Sequence, residues 1–104
     1  METDRLITEF KLNLIIQRYS ASTIKNYSSA VKSFLQFAEK KFNDPNELGV
    51  IDIEMYVLWK IERYEISSSH QHMIVASIEK FYNFVFGKDL NIKHLYPAQK
   101  QKSL

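Results

Sequence analysis

Tyr19-Ser-Ala-Ser-Thr-Ile-Lys-Asn-Tyr-Ser-Ser-Ala-Val-Lys-Ser-Phe-Leu-Gln-Phe-Ala38 is the stretch on which the fold turns. It opens on hydroxyl residues and then carries two faces at helical spacing. Ile24, Tyr27, Val31, Phe34 and Ala38 make an apolar face, while Ser22, Lys25, Asn26, Ser29, Lys32 and Gln36 make a short, polar, basic one. Positions three and four apart share one side of an α-helix, so the first set can bury while the second stays wet. Ser20 is placed to cap this helix by accepting backbone N–H bonds. The pattern runs to about Phe42, where Asn43-Asp44-Pro45-Asn46 stops it with consecutive turn formers.

Upstream, a first helix is expected from Asp4 to about Gln17, with Thr3 as its cap. Leu6, Ile7, Phe10 and Leu14 form its buried stripe, and Leu12, Ile15 and Ile16 widen that stripe near the end. Downstream, Gly49 begins a third helix, with Asp52 as the acidic member of a capping box and Ile53, Val57, Ile61 and Tyr64 as the stripe, flanked by Tyr56 and Trp59. Ser67-Ser-Ser69 opens a fourth helix that reaches Phe86 before Gly87 ends it. Its start, Ser67 to His72, is polar, whereas Met73 to Phe86 is apolar on nearly all sides, the pattern of a central helix packed by several neighbours.

Asn91 to Leu95 reads as a helical turn, and Ala98 to Leu104 as a tether without pattern. The expected fold class is therefore all-α: a compact bundle of four main helices plus a short C-terminal turn. The bundle would occupy residues 1–96, with 97–104 as a linker or tail.

Bulk composition agrees with one domain. At 104 residues the chain can build a core without staples, and 45% hydrophobic with 13% aromatic residues argues for a folded globule. Two Gly and two Pro leave little punctuation for many short strands, and the absence of Cys excludes disulfides and thiolate zinc sites. No apolar run approaches a membrane span and Met-Glu-Thr-Asp-Arg5 lacks a signal-peptide pattern, so a cytoplasmic location without a membrane partner is expected.

The formal charge of +2 says little about partners, but its distribution says more. Gln17 to Ser33 holds Arg18, Lys25 and Lys32 with no acid, whereas Glu47 to Glu65 holds five acids against Lys60 and Arg63. One end or face should be positive.

Most site chemistry is missing. His70 and His72 lie two apart and face different ways on a helix, and His94 is remote, so no metal site is expected. The only glycines, Gly49 and Gly87, make no phosphate loop, and no Ser, His and acid set has a nucleophile's context. No cofactor and no enzyme activity of this chain's own are expected. The positive signal is the pair of openings Ser20 to Tyr27 and Ser67 to His72. Helix N-termini carry unpaired N–H groups and partial positive charge, which suits phosphates, and small hydroxyls beside lysines permit close approach to a nucleic-acid backbone. On the residues alone a duplex-binding surface, a helical protein-interaction module and a small regulator dimerising through its fourth helix all stay open.

Ser20-x-x-Thr23-Ile-x-x-Tyr27 followed by Phe34-Leu-x-Phe37 resembles the first half of the N-terminal core-binding domain of tyrosine recombinases, the phage integrase family. Asp52-Ile-x-x-Tyr56 resembles the family's third helix, Ser67 through Val75-Ala-Ser-Ile-Glu-Lys-Phe-Tyr82 its next, and Tyr96-Pro97 with a basic tail its interdomain linker. The resemblance covers about Leu6 to the end. It implies a SAM-like domain that forms half of a clamp on double-stranded DNA, with the second and fourth helices toward the major groove and adjoining phosphates.

The contacts carried over by position, together with Ser22 of the polar face, are Thr23, Lys25, Asn26, Ser29 and Lys32 on the second helix, and Ser69, His70, His72 and Met73 on the fourth. Lys40 is expected on an opposite rim. His70 departs from the family's usual Thr, and Glu79 from an Arg. The resemblance also implies that strand cleavage belongs to a separate C-terminal catalytic domain, nothing like which is present. That domain and other recombinase protomers are the expected protein partners, and of the two readings, a fragment of a longer parent or a natural stand-alone relative, the fragment is favoured.

Overall fold

Backbone amides at helix starts need partners, and where each of these helices begins follows from what supplies one. The computed structural model describes residues 2–98 and contains α1 (Thr3–Ile16), α2 (Ala21–Ala38), α3 (Val50–Tyr64) and α4 (Ser68–Phe86), with 3₁₀ turns at Pro45–Glu47 and Lys93–Leu95. Ser20 Oγ accepts the Thr23 N–H at 3.2 Å, Ser67 Oγ accepts the His70 N–H at 3.1 Å, and Asp52 Oδ2 accepts the Gly49 N–H at 2.9 Å. These are the caps expected from sequence.

α1 is the exception. It starts one residue early because the Thr3 hydroxyl, instead of capping, donates across to Glu39 Oε2 at the end of α2.

The ends show the same logic. Gly87 closes α4 with φ 63°, the left-handed conformation a residue without Cβ takes at little cost. Arg18 and Glu65 close α1 and α3 with φ 68° and 49° although neither is glycine, a strain of about 1–2 kcal/mol each. α2 stops at Ala38 rather than Phe42: the Lys41 and Phe42 amides both turn back onto the Ala38 carbonyl. The early stop lets Pro45 bury, and its carbonyl accepts the Tyr82 hydroxyl at 2.6 Å.

Packing centres on α4, which touches α1, α2 and α3. Ile74 to Ile78 are buried without interruption, as a helix covered on several sides requires, and Phe81 and Tyr82 continue the core. Phe10 of α1 meets Phe81 edge to face with ring centroids 5.6 Å apart, and Phe34 of α2 meets Tyr56 of α3 at 5.1 Å. Leu6, Ile7, Phe10 and Leu14 bury as the α1 stripe. Leu12, Ile15 and Ile16 do not widen it: they are 55%, 55% and 71% exposed, Ile15 on the wall of the open groove between α1 and α2. On α3 the buried line is Ile53, Tyr56 and Val57, while Tyr64 stands outside it. After α4, Ile92 plugs back into the core and the Lys93–Leu95 turn follows.

Candidate nucleic-acid interface

α2 presents its polar side because the opposite side is locked. Val31, Phe34, Leu35 and Ala38 are buried, which leaves Ser22, Lys25, Asn26, Ser29 and Lys32 exposed. Thr23 is half-buried, and its hydroxyl receives a hydrogen bond from Ser20 Oγ at 2.9 Å, so it also serves the cap. On α4, Ser69, His70 and His72 are exposed and Met73 is half-buried.

Two grooves flank α2. On the α4 side, Asn26 and Ser29 share one depression with His70 and Met73, floored by Tyr56 and bordered by Ser33 and Lys60. On the α1 side, Lys25, Ser29 and Lys32 line a groove with Lys11 and Asp4. Ser29 therefore borders both. The structure thus brings four of the ten candidate residues into one depression and sets the two lysines on the far edge of the same helix, where they flank it. Ser22, Thr23 and Ser69 line neither groove. The hydroxyl tips are open to solvent, but it is the turns after them that come together.

His72 is drawn elsewhere. Its ring lies 4.8 Å from that of Tyr96, whose hydroxyl donates to Glu79 Oε1 at 2.8 Å. Gln71 Nε2 donates to the Leu95 carbonyl at 2.8 Å, so the first turns of α4 carry the C-terminal turn on their flank. Glu79, the acid that stands where the resemblance expects arginine, is occupied there too, with Lys93 Nζ at 4.0 Å. Its charge is partnered and it lines neither groove.

No carboxylate lines the depression between α2 and α4. Its floor is also uncharged: a phenol is protonated at neutral pH in any case, and burial first, and then the nearness of Tyr64, push that of Tyr56 further up, to about 12. Hydroxyl, amide, imidazole and ammonium groups thus surround an uncharged floor, a set that can donate to phosphate and base edges alike.

Three of the residues that matter here escape a reading of sequence. Lys60 arrives from the acid-rich segment because α3 packs beside α2, a long-range fact. Lys40 is not on an opposite rim: with Ser33, Gln36 and Lys60 it lines the continuation of the same depression. Ser33 had a signal, since it sits four residues after Ser29 on the polar side.

Residues 6–92 match the phage integrase N-terminal SAM-like domain. Two curated relatives, each named tyrosine recombinase XerC, come from Leptospira interrogans serogroup Icterohaemorrhagiae, one from serovar copenhageni (strain Fiocruz L1-130) and one from serovar Lai (strain 56601). Each is 32% identical to this chain over 76 residues, which is 73% of the chain and 24% of the relative. The matched region thus spans about a quarter of those proteins. No solved structure matches significantly.

Proposed function

Because this chain belongs to the phage integrase N-terminal SAM-like domain family, we propose that it is the DNA-binding arm of a site-specific tyrosine recombinase, acting in DNA integration or recombination. The observation that carries the proposal is the meeting of Asn26 and Ser29 with His70 and Met73 in one acid-free depression beside Lys60. α2 and α4 would straddle the duplex edge there, with Lys25 and Lys32 on adjoining phosphates and Asn26 and His70 toward base edges.

The relatives' name supports a recombinase parent. In such a parent the transesterification chemistry belongs to a C-terminal domain, and this domain contributes grip and register. A grip divided between two tethered domains is weaker when one acts alone, so binding by this chain should be measured at low salt. The partners are double-stranded DNA, that catalytic domain and other recombinase protomers, in the cytoplasm. Among the described residues no helix is long and apolar enough to cross a membrane.

An NMR titration with generic duplex tests the reading. The amides of Asn26, Ser29, His70 and Met73 should move, less so as salt rises. Shifts confined to α3's outer side, or none at low salt, would overturn it. One observation favours the rival protein-interaction module: Ile51, Met55 and Leu58 are 72%, 59% and 49% exposed on α3, and none lines the depression. That reading expects those amides to move with a protein partner and none with duplex.

A further inference from the structure

The depression between α2 and α4 does not end at Lys60. It runs on between the end of α2 and α3, where Phe37, Trp59 and Tyr64 form an aromatic surface framed by Lys40, Lys41 and Lys60. Phe37 and Trp59 have ring centroids 5.0 Å apart with planes 32° apart, and Tyr64 meets Trp59 edge to face at 5.3 Å. Lys60 Nζ lies 4.6 Å from the Tyr64 ring centre and Lys41 Nζ 5.7 Å from that of Phe37. Trp59 is 38% and Tyr64 56% exposed, and no carboxylate lines this stretch.

We infer that this aromatic groove is a seat for an unpaired nucleotide, its base stacked on one of the two rings, Trp59 or Tyr64, and edge-on to the other, and its phosphates held by Lys40, Lys41 and Lys60. The inference rests on the DNA-binding reading and extends it from duplex to unpaired strand. Its ground is chemical complementarity. Every base offers a flat π surface, and stacking on aromatic side chains between cationic groups is how single strands are held without sequence preference. A duplex hides those surfaces within its stack and has no use for exposed indole. An apolar helix would use the rings but not three lysines. Continuity adds the route: Ser33, Tyr56 and Lys60 border both parts, so a strand leaving a duplex seated on α2 and α4 reaches the rings directly.

Trp59 is the chain's single tryptophan and lines this seat, so tryptophan fluorescence reports on it directly. The chain is titrated at low salt with a short oligothymidylate, a blunt duplex of equal length and poly-glutamate. The oligothymidylate should quench Trp59 saturably and more than the duplex, and poly-glutamate should not. Lys40→Ala with Lys41→Ala should weaken the single-strand titration several-fold. Tyr64→Leu, at an exposed position, should weaken it on the order of 10-fold, read by anisotropy of labelled oligothymidylate, with circular dichroism confirming that the variant is folded.

Equal quenching by duplex, or quenching by poly-glutamate, would overturn the inference. So would an unmoved tryptophan while duplex still shifts the Asn26 and His70 amides, a result that leaves the duplex reading standing. Single-strand quenching without any duplex shift would do the reverse, and silence from both would overturn both.

Discussion

Raising the pH should unfold this protein partly through Tyr56, and the Tyr56→Phe variant isolates that contribution. Tyr56 is 2% exposed, with its ring against Phe34 and Phe37 at 5.1 Å each, and burial holds its phenol at about 12 against an ordinary 10.0. Since the folded value lies above the unfolded one, the stabilisation is fully present below pH 10 and is lost as pH rises from 10 toward 12. In that window the unfolded chain has released a proton that the folded chain still keeps. Each unit is about 1.4 kcal/mol, so the loss approaches about 2–3 kcal/mol, a large share of the roughly 5–15 kcal/mol that holds a domain together.

Phenylalanine keeps the ring and removes the proton. Urea unfolding followed by circular dichroism should therefore show Tyr56→Phe close to the parent at pH 8 and progressively more stable than it above pH 10. Tyr82 and Tyr96 are also raised, the former by burial first and the latter by burial and then its bond to Glu79. They remain in both proteins and cancel in the comparison. A difference between the two proteins that stays constant from pH 8 to pH 12 would refute the reasoning.

Lys25→Ala and Lys32→Ala should each flatten the log–log salt dependence of duplex binding by about one unit and weaken binding alike on any sequence. Arg5→Ala, which removes a guanidinium already beside Glu2 at 3.2 Å and Glu9 at 3.8 Å, should leave that slope unchanged; anisotropy across a salt series decides. Phe10→Ala should cost about 3–5 kcal/mol in urea unfolding, because the ring is fully buried against Phe81 and the cavity would open between α1 and α4.

The candidate site was legible unevenly. Exposure of Ser22, Lys25, Asn26, Ser29 and Lys32 follows from the rotation of α2 that buries Val31 and Phe34, and that rotation is written in the spacing. The departure of His72 toward Tyr96 and of Glu79 toward Lys93 was not legible, since both depend on where the chain returns after Gly87. Lys40, expected on an opposite rim, lines the same groove because α3 closes one side of it.

Local physics settled how many main helices form, how α2, α3 and α4 are capped, and that α4 lies at the centre, whereas the cap expected of Thr3 was lost to a contact with Glu39 far along the chain. Caps and stripes act between residues three and four apart, and such neighbours are adjacent whatever the rest of the chain does. Packing alone decided which polar sides share a groove. The meeting of Asn26 with His70, and of Lys60 with both, depends on how helices far apart in sequence cross, and the spacing within any one of them carries no record of that crossing.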